Sequence, residues 1–479
     1  MAFINMIRAV KILRNRLSAS QSTTSTQNTA SKQWRLLLAL LLIISGITHF
    51  AFLTTPASVV FDEVHFGKFT TAYCCTGENI FDIHPPLAKL LIAAAAKLGG
   101  YTGGFDFKSI GEAFHDVPVF AYRLVPAFAG FALTLILFLL IRQLGGSEGA
   151  AFFGAALYTF DNALLVQTRF ILLDGILLLG IFAALSAYLA GMRMQHTAQR
   201  VGLLALSGVL AGLAVGTKFT GLTALGLILV IAVVGIAQDF SLQNTLKWLR
   251  SYLWVVACAM AVYLLSWFLH FQLLDKPGVG DAFYHRTGHF FQDLINLHQL
   301  MLRSNLAITT VDPDASQWWS WPLMTTPPFY WSAKHASIYF LGNPIIWWGT
   351  TLFTIVISCI VILSKATSLT WRAKTPPVTL WLPFAGYLIA TLPYAVVKRP
   401  LFMYHYLPSL LFSLIFVVLW LDSAGWIRSG GVTAQQKSFY SVLAVVVACF
   451  VFLSSLTYGY PHPPWYSKIV SAVFPYVTQ

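Results

Sequence analysis

Two acidic residues stand side by side in the run Phe61-Asp62-Glu63-Val64-His65-Phe66, directly after the first long apolar stretch of the chain. Burying a carboxylate is costly unless it is paired or used. An adjacent pair in so apolar a setting is therefore a candidate for general-base chemistry, in which a carboxylate takes the proton of a hydroxyl as a new bond forms. The plain alternative is a hydrated loop with scattered charge. Glu78, Asp82 and His84 follow in ENIFDIHPPLAK, which ends on Lys89. His84 with Glu78 or Asp82 offers a place for a divalent ion, but the spacing shows no hard-oxygen ligand set. We expect no obligatory metal and no cofactor.

Further charges fall at the ends of apolar segments or inside them: Arg123 in AYRLVPAFAG, Asp161, Arg169 and Asp174 in FDNALLVQTRFILLDG, and Lys218 in GTKFTG. Intramembrane ionisable residues are functional candidates by default. The competing reading for the triplet is structural, an ion pair of Arg169 with Asp161 or Asp174 that holds two helices together. Trp318, Trp319 and Trp321 in SQWWSWPLM, with TPPFYW and YFLGNPIIWW, form either an aromatic belt at the membrane surface or a ledge for a lipid-linked or sugar substrate. Lys398, Arg399 and His405 in KRPLFMYHYLPSL are cations suited to an anionic headgroup.

These residues need a scaffold, and composition says which kind. The 479 residues are 57% hydrophobic, 15% aromatic and 10% charged, with mean hydropathy +0.71. Soluble domains carry about 25% charged residues, so a cytosolic enzyme, a disulfide-stapled secreted domain and a disordered protein are all excluded. An all-α polytopic membrane protein remains. A spanning helix needs about 20 mostly apolar residues, and eleven runs qualify, near 35–55, 118–141, 149–167, 170–190, 201–216, 219–237, 250–274, 342–364, 378–397, 401–421 and 438–458. Residues 86–98 are apolar but short and flanked by lysines, which predicts an interfacial helix.

Charge then orients the spans. With the N-terminus in the cytoplasm, the inner segments hold 16 basic and three acidic residues, which accounts for the whole net charge of +13. The positive-inside rule is satisfied throughout, and a nucleic-acid partner is unnecessary. Fourteen of the 17 acids then lie on the outer side, in or near two long loops at about 56–117 and 275–341. Carboxylate chemistry is expected at that outer surface. An odd number of spans puts the C-terminal tail, 459–479, outside as well. Residues 1–34 lack acids and read as a disordered cytoplasmic tail, with a transit peptide as the alternative. Cys258, Cys359 and Cys449 lie in spans as small apolar residues, while Cys74 and Cys75 are adjacent in the first outer loop, free or bridged. No internal repeat is visible, which counts against a transporter or lipid flippase.

The motifs, taken together, resemble the protein O-mannosyltransferases, membrane glycosyltransferases of the GT-C type. FDEVHFGKF is similar to that family's Asp-Glu first-loop motif. FDIHPPLAKLL, YTGGFDF, YRLVPAFAG, LLVQTRFILLD, GLAVGTKFTGL, SQWWSWPLM, YFLGNPIIWW and YHYLPSL follow in register over roughly residues 34–470. Two departures stand out. The second outer loop is too short for the MIR module of eukaryotic members, so the chain looks like a compact bacterial-type member. The family's Thr-His-Pro-Tyr run is here Val311, Asp312, Pro313 and Asp314.

The resemblance implies a GT-C fold of about 11 spans, N-terminus in and C-terminus out. It also implies inverting transfer of mannose from polyprenyl-phosphate mannose to Ser or Thr hydroxyls of translocating proteins, at the outer face of a bacterial plasma membrane. Asp62 would be the base, with Glu63 holding the motif's geometry or assisting the acceptor. Fixed cations stabilise a departing phosphate most as its charge develops; the candidates are Arg123, Lys89, Lys218, Arg399 and His405. His84, Asp161, Arg169 and Asp174 would support them, and the tryptophans would face the acceptor. A translocon or a second copy is a possible partner. The nearest rival is a GT-C relative that decorates a lipid or glycan, as the aminoarabinose transferases do. HPPLAK, YHYLPSL and GNPxxWW favour the protein transferases.

Overall fold

The computed structural model describes residues 25–308, 312–366, 380–427 and 434–477. Val311, most of the N-terminal tail and the inner-side Arg372, Lys374 and Arg428 lie outside the described residues. The chain begins with α1 (Ser25–Phe50), two short helices α2 (Glu63–Thr71) and α3 (Leu87–Leu98), then α4 (Val119–Gln143). A broken pair follows, α5 (Glu148–Thr159) and α6 (Asn162–Arg169), and then α7 (Asp174–Arg193), α8 (Thr197–Val215), α9 (Leu222–Ala237) and α10 (Leu242–Leu273). After α11 (Phe290–Ala307) come strands β1 (Phe329–Ala333) and β2 (Ala336–Tyr339). The last helices are α12 (Pro344–Ala366), α13 (Trp381–Thr391), α14 (Leu407–Ser423), α15 (Ala434–Tyr458) and α16 (Pro464–Val473).

Among the described residues, eight helices are long and apolar enough to cross a membrane, or nine if the bent α5–α6 pair is one span. Pro344–Ile360 and Trp381–Val396 are shorter apolar helices. All eleven runs expected from hydropathy overlap these elements, and 86–98 is the short helix expected. Three boundaries differ. Helix α1 starts at Ser25, inside the expected tail, and stops at Phe50 rather than near 55. The third span breaks by 63°. Helix α10 runs on from Leu242, well before the expected 250.

Lipid tails give helices little reason to associate, so membrane bundles rely on close backbone approach at small residues. Gly208 and Gly212, four apart on α8, supply it here: a side chain at Gly208 would meet the Val255 carbonyl at 2.5 Å, and one at Gly212 the Ala259 carbonyl at 2.8 Å. Gly180 on α7 likewise lets Ala214 approach. The most buried helices are α7 and α14, 78% and 83% of whose spanning windows are covered by protein.

The two long loops, the 397–402 turn and the C-terminal segment meet at one end of the bundle. Around Glu78, the Lys276 backbone accepts Asn79 N–H and donates to the Gly77 carbonyl; Phe61 N–H donates to the Tyr330 carbonyl, Ser316 N–H to that of Leu401 and His462 N–H to that of His335. The antiparallel β1–β2 hairpin is a departure from the all-α expectation. TPPFYW read as an interface belt because its aromatics dominate, yet Tyr330 and Trp331 are buried core residues.

Candidate functional site

The break between α5 and α6 shapes this end of the bundle. Asp161 caps α6 by accepting Leu164 N–H at 2.9 Å, and it also accepts Asn343 N–H at 3.0 Å and Trp347 Nε1–H at 2.9 Å. These three bonds satisfy a wholly buried carboxylate without the expected Arg169 ion pair. Arg169, at the other end of α6, pairs with neither Asp161 nor Asp174. Its Nη1 donates to the carbonyls of Thr48 and His49, and its Nη2 to those of Ala51 and Phe52, with Tyr458 stacked 4.4 Å from the guanidinium. A cation on the C-terminal carbonyls of α1 satisfies orphan acceptors and opposes the helix dipole. It also marks where α1 ends.

Glu63 and Arg123 form a closed unit, which departs from the expectation of Arg123 on the donor phosphate and leaves Glu63 with the first of its two expected roles, holding the motif's geometry. Arg123 Nε and Nη2 donate to Glu63 at 2.8 and 2.9 Å, and its remaining N–H groups go to the carbonyls of Leu53, Pro56 and Ser58. All five guanidinium donors are used, so none is left for a donor phosphate. Glu63 also accepts Val60 N–H and Ile171 N–H. Both side chains are 0% exposed. Glu63 therefore ties the first loop to the core through four accepted hydrogen bonds.

Asp62 is different. It precedes α2 without capping it, and among the described residues its carboxylate accepts no hydrogen bond. Burial pushes its carboxyl up to about 7; Lys218 opposes the rise, and Asp174, Asp82 and Asp312 add to it. Asp62 is thus the open member of the Asp-Glu pair, with Lys218, Asp174, Asp82 and Asp312 in electrostatic reach. Phe61 beside it has φ of 46°, a left-handed conformation that costs a bulky residue of order 1–3 kcal/mol. Its ring stacks on Tyr330 at 4.1 Å.

Two cation–carboxylate pairs flank this group. Lys218 Nζ donates to both Asp174 oxygens at 2.8 and 2.9 Å and lies 5.4 Å from the Tyr404 ring centroid. Gln167 Nε2 donates to Asp174 at 2.6 Å, and the Tyr330 hydroxyl donates to Gln167 Oε1. Lys89 on α3 donates to Asp82 and to the His84 carbonyl. Burial pulls the Lys89 ammonium down, against Asp82. Burial alone would raise Asp82, but Lys89, with a hydrogen bond from the His84 backbone, holds it below the usual carboxylate range. His84 is pulled down to about 3, chiefly by burial, with Asp82 opposing and Lys218 and Lys89 adding, so its imidazole is neutral near pH 7.

Arg399 is half-buried and lies in electrostatic range of Tyr394, Tyr404 and His405; among the described residues it makes no ion pair. His405 stacks on Trp321 at 6.0 Å and bonds its ring to Phe402. Trp321 is 1% exposed and packs against His405 and Tyr394, so it lines the wall rather than an open acceptor ledge. Trp319 is exposed and Trp318 half-buried. In place of the family's Thr-His-Pro-Tyr, Asp314 accepts Phe329 N–H at the start of the hairpin, and Asp312 is exposed. No group of three His, Cys, Asp or Glu able to hold a metal occurs among the described residues. Cys74 and Cys75 are bridged to each other.

Gln167 and Tyr330 were not singled out from sequence. Gln167 stood inside the motif LLVQTRFILLD, but a lone amide carries no charge to flag it. Tyr330 stood among aromatics with a simpler reading.

Residues 39–275 match the family model of dolichyl-phosphate-mannose-protein mannosyltransferase, and residues 290–472 match the C-terminal four-transmembrane region of protein O-mannosyltransferase. The chain belongs to the protein O-mannosyltransferase family. Dolichyl-phosphate-mannose–protein mannosyltransferase 4 of Candida albicans is 38% identical over 259 residues, covering 51% of this chain and 34% of the relative. Protein O-mannosyltransferase 1 of Drosophila melanogaster is 32% identical over 286 residues, covering 55% and 31%. The chain thus spans about a third of the length of these relatives. Among solved structures, the Saccharomyces cerevisiae protein O-mannosyltransferase Pmt1–Pmt2 complex bound to the sugar donor matches with a TM-score of 0.86 at 18% identity, over 95% of this chain and 93% of that one. ArnT from Cupriavidus metallidurans bound to undecaprenyl phosphate reaches 0.50 at 16% identity, over 88% and 65%. The mannosyltransferase-family chain therefore has the GT-C fold.

Proposed function

We propose that this protein O-mannosyltransferase-family chain transfers mannose from a polyprenyl-phosphate mannose to a Ser or Thr hydroxyl of a protein, in one inverting displacement. The observation that carries this reading is Asp62, an open carboxylate brought to about 7 by its surroundings. A hydroxyl is a poor nucleophile near neutral pH, and a base whose pKa lies near the working pH serves it best. The acceptor oxygen attacks the anomeric carbon from the face opposite the phosphate, and Asp62 takes its proton. The anomeric carbon–oxygen bond to phosphate breaks, and the polyprenyl phosphate leaves as an anion.

Lys218, Lys89 and Arg399 are the cations we assign to that charge, which grows in the transition state. Arg123 is excluded from this role by its saturation. Names of relatives that carry dolichyl-phosphate-mannose support the donor class, and the neighbour bound to the sugar donor supports the fold's fitness for it. The charge asymmetry and the compact second loop support a site at the outer face of a bacterial plasma membrane. The paired Pmt1–Pmt2 neighbour supports a second membrane subunit, and a translocon is a further candidate partner.

The test is transfer of labelled mannose from polyprenyl-phosphate mannose to a Ser/Thr-rich peptide by the purified chain in nanodiscs, with Asp62→Asn and an EDTA-treated sample alongside. Label on the peptide, lost in the variant and kept in EDTA, is the expected result. Label moved instead to a lipid or glycan would overturn the protein acceptor while sparing the fold.

A further inference from the structure

Tyr330, wholly buried in β1, makes contacts that run in two directions. Its ring stacks on Phe61 with the planes 8° apart, and its carbonyl accepts the Phe61 N–H at 2.9 Å. Phe61 is the residue before Asp62, and its φ is 46°. In the other direction the Tyr330 hydroxyl donates to Gln167 Oε1. An amide can face either way, and this bond selects the orientation that points the NH2 group at Asp174, where it donates at 2.6 Å. Asp174 then receives Lys218 on both oxygens. A continuous set of contacts joins the backbone at the base to Lys218, and it passes through a residue of the hairpin.

We infer that Tyr330, acting with Gln167, is a positioning residue that sets Lys218 relative to Asp62; this rests on Asp62 serving as the base. A buried tyrosine hydroxyl needs a partner in any case, so the simple alternative is a satisfied core residue. Charge separates the two. Asp62 is faced by Lys218, Asp174, Asp82 and Asp312, and by the phenols of Tyr330 and Tyr404. Without the Gln167 N–H, Asp174 is less neutralised and repels an ionised Asp62 more. Lys218, anchored to a looser carboxylate, also stabilises that ion less. Both effects act in one direction and disfavour the ionised base.

Tyr330→Phe keeps the ring, the stack and the backbone bond, and removes only the hydroxyl. Gln167→Met removes the amide at similar size. The measurement is an infrared titration of the protonated Asp62 carboxyl band in the resting protein in nanodiscs, the band being identified by its loss in Asp62→Asn. Each single variant is expected to move the titration upward by about one pH unit, and the double variant by no more than either, because both break the same link. Near neutral pH the turnover of mannose transfer should fall roughly five- to tenfold with the acceptor KM unchanged. A merely structural tyrosine would lower Tm and leave the titration in place; an unmoved titration in both variants overturns the inference. Should the wild type transfer no mannose, the base role of Asp62 fails, while the carboxyl titration still decides the link.

Discussion

Arg123 and Glu63 meet edge to edge with both side chains wholly buried, Nε to Oε1 at 2.8 Å and Nη2 to Oε2 at 2.9 Å. Each is also the hub of a backbone cage, so neither has capacity left for substrate. Removing one partner of a buried ion pair strands the other and costs about 3–5 kcal/mol. Glu63→Gln and Arg123→Met are therefore expected to lower Tm and yield, while the folded fraction of Glu63→Gln keeps turnover within a few-fold of wild type. Thermal melts and transfer rates on the same preparation check this. Lost turnover at an unchanged Tm would return Glu63 to a catalytic role.

Asp62 predicts the opposite pattern. Its carboxyl moves from 3.8 to about 7 on folding, so the folded chain binds that proton more tightly than the unfolded chain does. The linkage sign follows: the stability of the protonated state is fully present below about pH 4 and declines as pH rises toward about 7. At 1.36 kcal/mol per pKa unit the loss reaches ~4 kcal/mol. Asp62→Asn should raise Tm above pH 7 while cutting transfer by about 10²–10⁴-fold. A variant that is both inactive and less stable would mean that Asp62 is structural.

Much of this was legible in sequence, and the limits are instructive. Hydropathy located the apolar helices because a bilayer constrains every residue of a crossing helix in the same way. The motifs named Asp62, Lys218 and Asp174, and the structure brings them together although they lie far apart in the chain. Motifs say which residues matter, not which partner each one takes. Arg123 and Glu63 looked like site groups because a buried charge draws attention whether it serves substrate or backbone. Arg169 was expected to pair with an aspartate and instead binds four carbonyls, since orphan carbonyls at a helix end leave no mark in sequence. The hairpin was missed because its aromatics read equally well as interface residues.

Two charges near Asp62 should shift the acid limb of transfer in opposite directions. Lys218 lowers the Asp62 pKa and Asp312 raises it. Lys218→Gln is therefore expected to move the acid limb to higher pH, and Asp312→Asn to lower pH, by about half a unit to one unit each. Asp312 is exposed, so its effect should shrink at high salt, whereas that of the buried Lys218 should persist. Rate profiles for the three proteins between pH 5 and 9, at low and high ionic strength, supply the test. Shifts of the same sign would show that these residues act by packing rather than by charge.

Asp82 and Lys89 give a prediction that separates a binding cation from a structural one. The Lys89 side chain is 1% exposed and that of Asp82 10%, and Lys89 donates to Asp82 and to the His84 carbonyl. If Lys89 receives the donor phosphate, Asp82 competes with that phosphate for the ammonium. Asp82→Asn then keeps the shape and a hydrogen-bond acceptor, removes the competing charge, and tightens polyprenyl-phosphate binding, roughly three- to tenfold for a gain of about 1 kcal/mol. If Lys89 only anchors α3 to the first loop, the same substitution leaves a buried ammonium without its counter-ion, and binding weakens along with Tm. Equilibrium binding of polyprenyl phosphate to wild type and Asp82→Asn, with melts in parallel, distinguishes the two. Tighter binding at lower stability that is abolished by adding Lys89→Met places Lys89 on the phosphate, because loss of the Asp82 repulsion alone would survive that second substitution.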